Sequence, residues 1–148
     1  MDVNNLFRKN SIILLVEDNP DDVELTLRAF RKYNFTNDII VANDGEEALE
    51  IIFERANNKK LKPDLILLDI SLPKVNGIEV LRQIKTNDIT KTIPVIILTS
   101  SNEEKDLVES YNYGANSYIR KPVDFKMFID VVKEIGLYWL LLNNPPVK

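Results

Sequence analysis

The 148-residue sequence contains no cysteine and no histidine. The chain therefore offers no disulfide, no thiolate nucleophile, no Ser-His-Asp triad and no zinc site of the usual ligand types. Glycine is also scarce, and the spacing of its four residues fits neither the GxGxxG motif of dinucleotide-binding proteins nor a Walker A loop. The chemistry left to the chain rests on carboxylates, hydroxyls, lysines and hard metal ions.

Long hydrophobic runs and an excess of positive charge are missing as well. The longest strictly apolar stretch covers residues 137–142, whereas a membrane-spanning helix needs ~20 residues. The first ten residues lack the apolar core of a signal peptide. A net charge of −4 argues against a nucleic-acid-binding surface. We therefore expect a cytoplasmic protein with no membrane partner and no nucleic-acid partner.

Short apolar runs alternate with amphipathic stretches along the chain. The runs are typical of strands buried on both faces, and they lie at residues 12–16, 39–42, 65–68, 95–98 and 117–119. Helical patterns follow them, with expected starts at Asn19-Pro20, Asp44, near Gly77, at Ser101 and at Asp124. This alternation predicts an α/β fold with a five-stranded parallel sheet and helices on both faces. We predict one domain over residues 1–148, with its core at about 11–142.

The fourth expected helix has a recognisable beginning. Ser101 is followed three residues later by Glu104, which is a capping-box pattern. The apolar residues Leu107, Val108 and Tyr111 recur at helical spacing and form the apolar face of that helix.

The last expected helix ends in an apolar extension and a Pro-Pro tail at residues 137–148. The residues from 137 to 142 cover every face of a helix, although a sheet can bury only one. The surplus either folds back onto its own domain or contacts a partner. We favour an isologous homodimer in which Tyr138, Trp139 and Leu142 form the contact face.

Acidic residues directly follow two of the expected strands. Glu17 and Asp18 come after the first strand, and Asp69 comes after the third. Because the carboxyl ends of parallel strands meet at one edge of the sheet, these carboxylates converge. At ~4 Å, like charges repel by roughly 4 kcal/mol at an effective dielectric of ~20, so the cluster requires a cation or raised pKa values. Mg²⁺ suits such an all-oxygen site, while Asp21 and Asp22 are explained by the first turn of a helix.

A hydroxyl and an ammonium group join the acids at the neighbouring strand ends. Thr99 follows the fourth apolar run, and Lys121 follows the fifth. A carboxylate that can attack, a metal ion and a lysine that stabilise negative oxygens are the parts needed for phosphoryl transfer. The sequence therefore predicts phosphoryl chemistry at this edge of the sheet.

Four segments, LLVEDNPDD, LILLDISLPKVNG, PVIILTSS and SYIRKP, resemble the receiver domain of two-component response regulators. The resemblance covers residues 11–142 and implies a doubly wound, flavodoxin-like (βα)5 receiver fold. It implies that Asp69 is the phosphoacceptor and that Mg²⁺ is bound by Asp18, by Asp69 and by the backbone carbonyl of Ser71. Glu17 is expected to act on the metal through water.

The same resemblance implies roles for residues at the last two strand ends. Thr99, with Ser100 beside it, is expected to bind the phosphoryl group, and Lys121 is expected to pair with that group. Tyr118 occupies the position of the aromatic switch residue. The Lys121–Pro122 bond matches one that is cis in this family.

The resemblance predicts a phosphoprotein for signalling rather than an enzyme. Its donor is expected to be a histidine kinase of phytochrome type, since the apolar tail, the EDNPDD loop and the basic connection at 57–63 resemble that subfamily. The length leaves no room for a DNA-binding unit, so the signal would pass through protein contacts. A pseudo-receiver that serves as an unphosphorylated interaction or dimerisation module remains the alternative.

Two other classes with a related architecture fit the sequence less well. A flavodoxin-type protein binds a cofactor phosphate after the first strand, where this chain places four acids that would repel it. A haloacid-dehalogenase-type phosphatase has a second acid two residues after its nucleophile, and here that residue is Ser71.

Overall fold

A computed structural model of the chain describes residues 11–33, 38–58 and 61–143, with the side chains of residues 141 and 142 left out. The described residues form five strands that alternate with five α-helices, followed by a π-helix. The elements are β1 (Ile12–Val16), α1 (Pro20–Lys32), β2 (Asp38–Ala42), α2 (Gly45–Arg55), β3 (Leu65–Leu68), α3 (Gly77–Thr86), β4 (Val95–Thr99), α4 (Glu104–Asn112), β5 (Ser117–Arg120), α5 (Phe125–Gly136) and the π-helix (Leu137–Leu142). The predicted alternation is confirmed, and each predicted strand lies within one residue of its observed bounds. The Pro-Pro tail and the first ten residues lie outside the described residues.

All five strands are parallel and belong to one sheet with the order β2-β1-β3-β4-β5. Alternate residues of β1 face opposite cores, as the two-residue period of a strand requires. Ile13 and Leu15 pack with α1 and α5, whereas Leu14 and Val16 pack with α2 and α3. Helices therefore cover both faces, which confirms the predicted doubly wound fold.

Burial is less uniform than the apolar runs predicted. Strands β1, β3 and β4 are buried along their whole length, but β2 and β5 are only partly buried. These two strands form the edges of the sheet, where one neighbour is missing. The prediction of burial on both faces is therefore wrong for the two edge strands.

Helix α4 differs from the prediction in how it begins, and its apolar face is largely exposed. The N-cap is Glu103, which makes no side-chain capping bond. The Ser101 hydroxyl instead donates to Asp106 at 2.6 Å and accepts from the Glu103 N–H. Val108 and Tyr111 are half exposed, and the main contacts of α4 are with α3 and the edge strand β5. The predicted capping box is wrong, and two of the three residues on the apolar face of α4 are exposed rather than buried.

The C-terminal extension does not continue α5 as one regular helix. After Gly136 the chain forms a π-helix, in which the Asn143 N–H donates to the Tyr138 carbonyl at 2.7 Å. The wider turn buries Leu140 and packs Trp139 partly against the core, while Tyr138 stays half exposed. Part of the apolar extension thus covers its own core. The side chain of Leu142 lies outside the described residues.

No helix in the described part of the chain is both long and apolar enough to cross a bilayer.

Candidate functional site

The side chains that follow the strands meet at the carboxyl edge of the sheet. Glu17 follows β1, Asp69 follows β3, Thr99 is the last residue of β4, and Lys121 follows β5. The structure joins these four residues in one hydrogen-bonded group. The convergence predicted from parallel strand ends is therefore present in the structure.

Asp69 is held at both of its carboxylate oxygens. The Thr99 hydroxyl donates to Oδ1 at 2.7 Å, and the Ser71 backbone N–H donates to the same oxygen at 3.1 Å. The Lys121 ammonium donates to Oδ2 at 3.0 Å. The Asp69 side chain is only 4% exposed, so these partners replace water around a buried anion.

The loop after Asp69 leaves no space for a side chain at Gly77. A Cβ atom on Gly77 would lie 2.4 Å from the Asp69 carbonyl oxygen and 2.4 Å from the Ile70 Cα. The Gly77 N–H also donates to the Ile70 carbonyl at 3.0 Å. The start of α3 therefore packs directly on the backbone that carries Asp69.

Lys121 is the only cation among the side chains that contact Asp69 in the described residues, and it serves three carboxylates. Its ammonium donates to Asp22 at 2.8 Å and to Asp69 at 3.0 Å, and it also contacts Glu17. Burial by itself lowers the pKa of a lysine, but hydrogen bonds to Asp22 and Glu17 and the charge of Asp69 raise the pKa of Lys121 above its usual range. The lysine therefore stays positively charged although its side chain is only 7% exposed.

Burial has a large effect on the Glu17 carboxyl. Desolvation raises the pKa of Glu17 to about 7, and the nearby charge of Asp69 acts in the same direction, whereas Lys121 opposes the shift. The Asn19 N–H donates to the Glu17 carboxylate at 3.2 Å. Glu17 is thus held toward the interior of the site rather than toward solvent.

Three carboxylates are close enough to bind one metal ion. One oxygen from each of Glu17, Asp18 and Asp69 lies within 4.8 Å of the others. Glu17 and Asp69 are buried, whereas Asp18 is exposed, so the cluster opens to solvent on the side of Asp18. An all-oxygen donor set with an open side suits a hard divalent cation that keeps water ligands. The residues present therefore fit the predicted Mg²⁺ site.

The other predicted site residues lie around this group. Ser71 and Ser100 are exposed, and Ser71 contacts Asp69 through its backbone N–H. The Tyr118 hydroxyl donates to the Ser101 carbonyl at 3.5 Å, and burial raises the pKa of Tyr118. The described residues contain no cis peptide bond, so the expectation of a cis Lys121–Pro122 bond is wrong. The trans form is the intrinsically favoured isomer of an X–Pro bond.

Asp22 is the site residue that the sequence interpretation missed. It lies in the first turn of α1, and its position there was explained by the helix dipole. In the structure its carboxylate contacts Lys121, which is 99 positions away along the chain. The packing of α1 against α5, the helix that follows Lys121, brings the two together. The local pattern around Asp22 contains no signal of this contact.

Comparisons with known proteins were made by sequence and by structure. Residues 13–133 match the sequence profile of the family described as the response regulator receiver domain. The chain is 42% identical over 135 residues to the probable methanogenesis regulatory protein FilR2 of Methanothrix harundinacea. The aligned region covers 91% of this chain and 87% of that protein. It is 36% identical over 130 residues to the response regulator Rcp1 of Synechocystis sp., with 87% and 88% of the two chains covered.

Two solved structures resemble the described fold closely. The crystal structure of the Mn²⁺-bound form of Rcp1 matches with a TM-score of 0.85 and covers 93% of this chain and 99% of that one. The crystal structure of the phosphorylated cyanobacterial phytochrome response regulator RcpA is 37% identical, with a TM-score of 0.86 and the same two coverages.

Proposed function

The chain belongs to the response regulator receiver domain family, and from that premise we propose that it accepts a phosphoryl group on Asp69 and signals through contacts with other proteins. The observation that supports this most directly is the environment of Asp69. Its buried carboxylate lies between the Thr99 hydroxyl and the Lys121 ammonium. A pseudo-receiver has usually lost the acceptor, an acid or the lysine, and this chain retains all of them.

The proposed reaction is a nucleophilic displacement at phosphorus. A carboxylate oxygen of Asp69 forms a new O–P bond while the P–N bond of a phosphohistidine breaks, and the imidazole nitrogen keeps the electron pair of that bond. These 148 residues contain no histidine, so the donor histidine lies outside this sequence. Attack of water on phosphorus later releases inorganic phosphate and regenerates the carboxylate. The protein assists both steps on itself, and it is not an enzyme for an external substrate.

The side chains around Asp69 have separate tasks in this reaction. Lys121 and Thr99 donate hydrogen bonds to the oxygens that carry negative charge. Asp18, Asp69 and the Ser71 carbonyl would hold Mg²⁺, with Glu17 acting through water. When bound, the ion neutralises charge on the phosphoryl oxygens. The acidic cluster and the Mn²⁺-bound form of the similar protein Rcp1 support this assignment.

Replacing Asp18 is expected to weaken divalent-cation binding. Asp18→Asn removes a charged oxygen ligand, so the dissociation constant for Mg²⁺ or Mn²⁺ should rise about tenfold or more, as measured by titration calorimetry. Asp21→Asn is the matched control, because Asp21 is three residues away and is not one of the three clustered carboxylates. Equal affinities of the two variants would contradict the assigned metal site.

We assign the donor to the phytochrome-type histidine kinases. The support is the likeness to the phytochrome response regulator RcpA. The chain matches the Rcp1 and RcpA structures over nearly their full length. Another similar protein, FilR2, is a probable methanogenesis regulatory protein. The choice of kinase therefore needs a direct test.

Phosphotransfer from a phytochrome-type kinase is expected to be at least about tenfold faster than from a histidine kinase of another class, because receivers select partners by complementary surfaces. Both kinases are first labelled on their histidine, and transfer to this chain is followed over time. Asp69→Asn is run beside the natural sequence as the control. Equal transfer rates from the two kinases would remove the phytochrome assignment but leave the acceptor role intact.

The signal is proposed to leave through the exposed apolar face beside the site. Val108, Tyr111, Phe125 and Met127 are half exposed or more on α4 and α5. Movement of Thr99 toward the phosphoryl group and repacking of Tyr118 would shift this face between two states that already exist in equilibrium. The face thereby reports the state of Asp69 to a partner protein.

The homodimer is proposed to form through α5 and the π-helix. Tyr138 is the suitable anchor to test, because it is half exposed, whereas Trp139 packs partly on the core. We expect a dimer at about ten micromolar by sedimentation and at least about tenfold weaker association for Tyr138→Ala. Tyr111→Ala, an equally exposed tyrosine on α4, should leave association unchanged. A monomeric natural sequence would refute the dimer.

A further inference from the structure

Asp22 is the carboxylate in the site without an assigned role. Its Oδ2 accepts from the Lys121 ammonium at 2.8 Å. It is not one of the three clustered carboxylates that could bind a metal ion. The neighbouring Asp21 is exposed and accepts no bond from Lys121 among the contacts of the described residues. The contact with Lys121 is therefore specific to Asp22 and separate from the metal cluster.

The three hydrogen-bond donors of the Lys121 ammonium are already engaged. An ammonium group has three N–H donors and no acceptor, and here they serve Glu17, Asp22 and Asp69. A phosphoryl group on Asp69 brings new oxygens that need the same cation. Lys121 can serve them only if one of its present partners releases it.

Burial identifies the partner that can release it. The side chains of Glu17 and Asp69 are each 4% exposed, whereas that of Asp22 is 22% exposed. A buried carboxylate that loses its cation is left without compensation, which is costly. A carboxylate at the rim can exchange the cation for water. Asp22 is thus the partner with the smallest penalty for separation.

We propose that Asp22 is a positioning residue that restrains Lys121 in the unphosphorylated protein and competes with the phosphoryl group for its ammonium. This inference rests on the proposed function of Asp69. The carboxylate of Asp22 also adds a negative charge near an incoming anionic donor. Competition for Lys121 and charge repulsion both slow phosphorylation, so the sign of the effect is determined.

The test measures phosphorylation by acetyl phosphate with Mg²⁺ at a donor concentration below saturation, followed by intact mass. Asp22→Asn keeps the shape of the side chain and removes its charge. Its initial rate should rise about threefold or more, because an ion pair at the rim of a site is worth a factor of this order. Asp21→Asn, a matched change at the preceding residue, should leave the rate unchanged. An unchanged or slower rate for Asp22→Asn would overturn the proposal.

Two further measurements separate competition for Lys121 from simple charge repulsion. If Asp22 acts mainly through the lysine, most of the acceleration by Asp22→Asn is lost in a Lys121→Met background. If it acts only through its field, the acceleration persists there and disappears at about 1 M salt, where the Debye length is about 3 Å. The salt measurement needs only Asp22→Asn and the natural sequence, so it decides the question even if Lys121→Met does not fold.

A failure of the proposed function and a failure of this inference give different experimental results. If the natural sequence takes up no phosphoryl group, the acceptor role of Asp69 is wrong. Binding of inorganic phosphate in the presence of Mg²⁺, measured by calorimetry, then tests the restraint on its own. The proposal requires at least about threefold tighter binding by Asp22→Asn than by Asp21→Asn, and equal binding would refute it.

Discussion

Asp69→Asn is expected to abolish phosphorylation completely. Incubation with acetyl phosphate and Mg²⁺ should add one phosphoryl group to the natural sequence and none to the variant, as read from intact mass. The physical reason is the loss of the nucleophile, because an amide oxygen lacks the charge of a carboxylate and cannot form a stable acyl phosphate. The effect is larger than any change in a supporting residue, since no other group in the site carries the reaction.

The variant should keep its fold, which makes the result interpretable. Asparagine has nearly the shape of aspartate, and its amide oxygen can still accept from the Thr99 hydroxyl and the Ser71 N–H. The change also removes one negative charge from a crowded group that includes Glu17 and Asp18. We expect the free energy of unfolding to change by less than about 1 kcal/mol, because relief of repulsion offsets the lost pairing with Lys121.

Asp88→Asn is the matched control for Asp69→Asn. The Asp88 side chain is 95% exposed and pairs with Lys91 on the surface, so phosphorylation should be unaffected. Peptide mapping of the natural adduct places the phosphoryl group by residue. An adduct that persists in Asp69→Asn, or that maps to Thr99 or a serine, would refute Asp69 as the acceptor.

Lys121→Met is expected to lower the free energy of unfolding by about 3 kcal/mol at neutral pH. The change removes the cation that Glu17, Asp22 and Asp69 share. Two of these carboxylates are buried, and breaking a buried ion pair from one side leaves an uncompensated charge that costs about 3–5 kcal/mol. The methionine side chain retains the apolar stem of the lysine, so the loss reports charge rather than packing. Urea unfolding monitored by circular dichroism measures it.

The loss of unfolding free energy in Lys121→Met should grow as the pH rises. The pKa of Glu17 is raised from 4.5 to about 7 in the folded protein, and removal of Lys121 raises it further. Between the unfolded and folded pKa values, the folded state binds more protons than the unfolded state, so stability falls with increasing pH. We therefore expect a smaller loss at about pH 5 than at about pH 8.

Lys91→Met is the control for Lys121→Met. Lys91 pairs with Asp88 on the surface, and its removal should change the free energy of unfolding by less than about 0.5 kcal/mol at either pH. A loss below about 1 kcal/mol for Lys121→Met would show that the three carboxylates do not depend on the lysine. Their arrangement would then need another explanation.

Local pattern predicted the elements that depend on neighbouring residues. Asn19, Asp44 and Asp124 were identified as helix caps, and each accepts from a backbone N–H at its helix start. A cap acts within four residues of its own position, so its chemistry is visible in the sequence. Ser101 failed as a cap because its hydroxyl contacts Asp106 instead.

Burial was harder to predict than secondary structure. Val108 and Tyr111 have the spacing of a buried helix face, yet both are half exposed on α4. The apolar period indicates which residues share a face, but not what covers that face. On α4 that face lies beside the edge strand β5, and two of its residues stay half exposed.

The sequence by itself determined the family, the alternation of five strands with five helices, and the residues at each strand end. These features follow from short-range periodicity and motif order. Only the tertiary structure decided which carboxylates share the lysine. Lys121 is 104 positions from Glu17 and 99 from Asp22, and such distant contacts depend on how whole elements pack. The proposed role of Asp69 is predicted from motif order, whereas the contact that supports the proposed restraint by Asp22 depends on how α1 packs against α5.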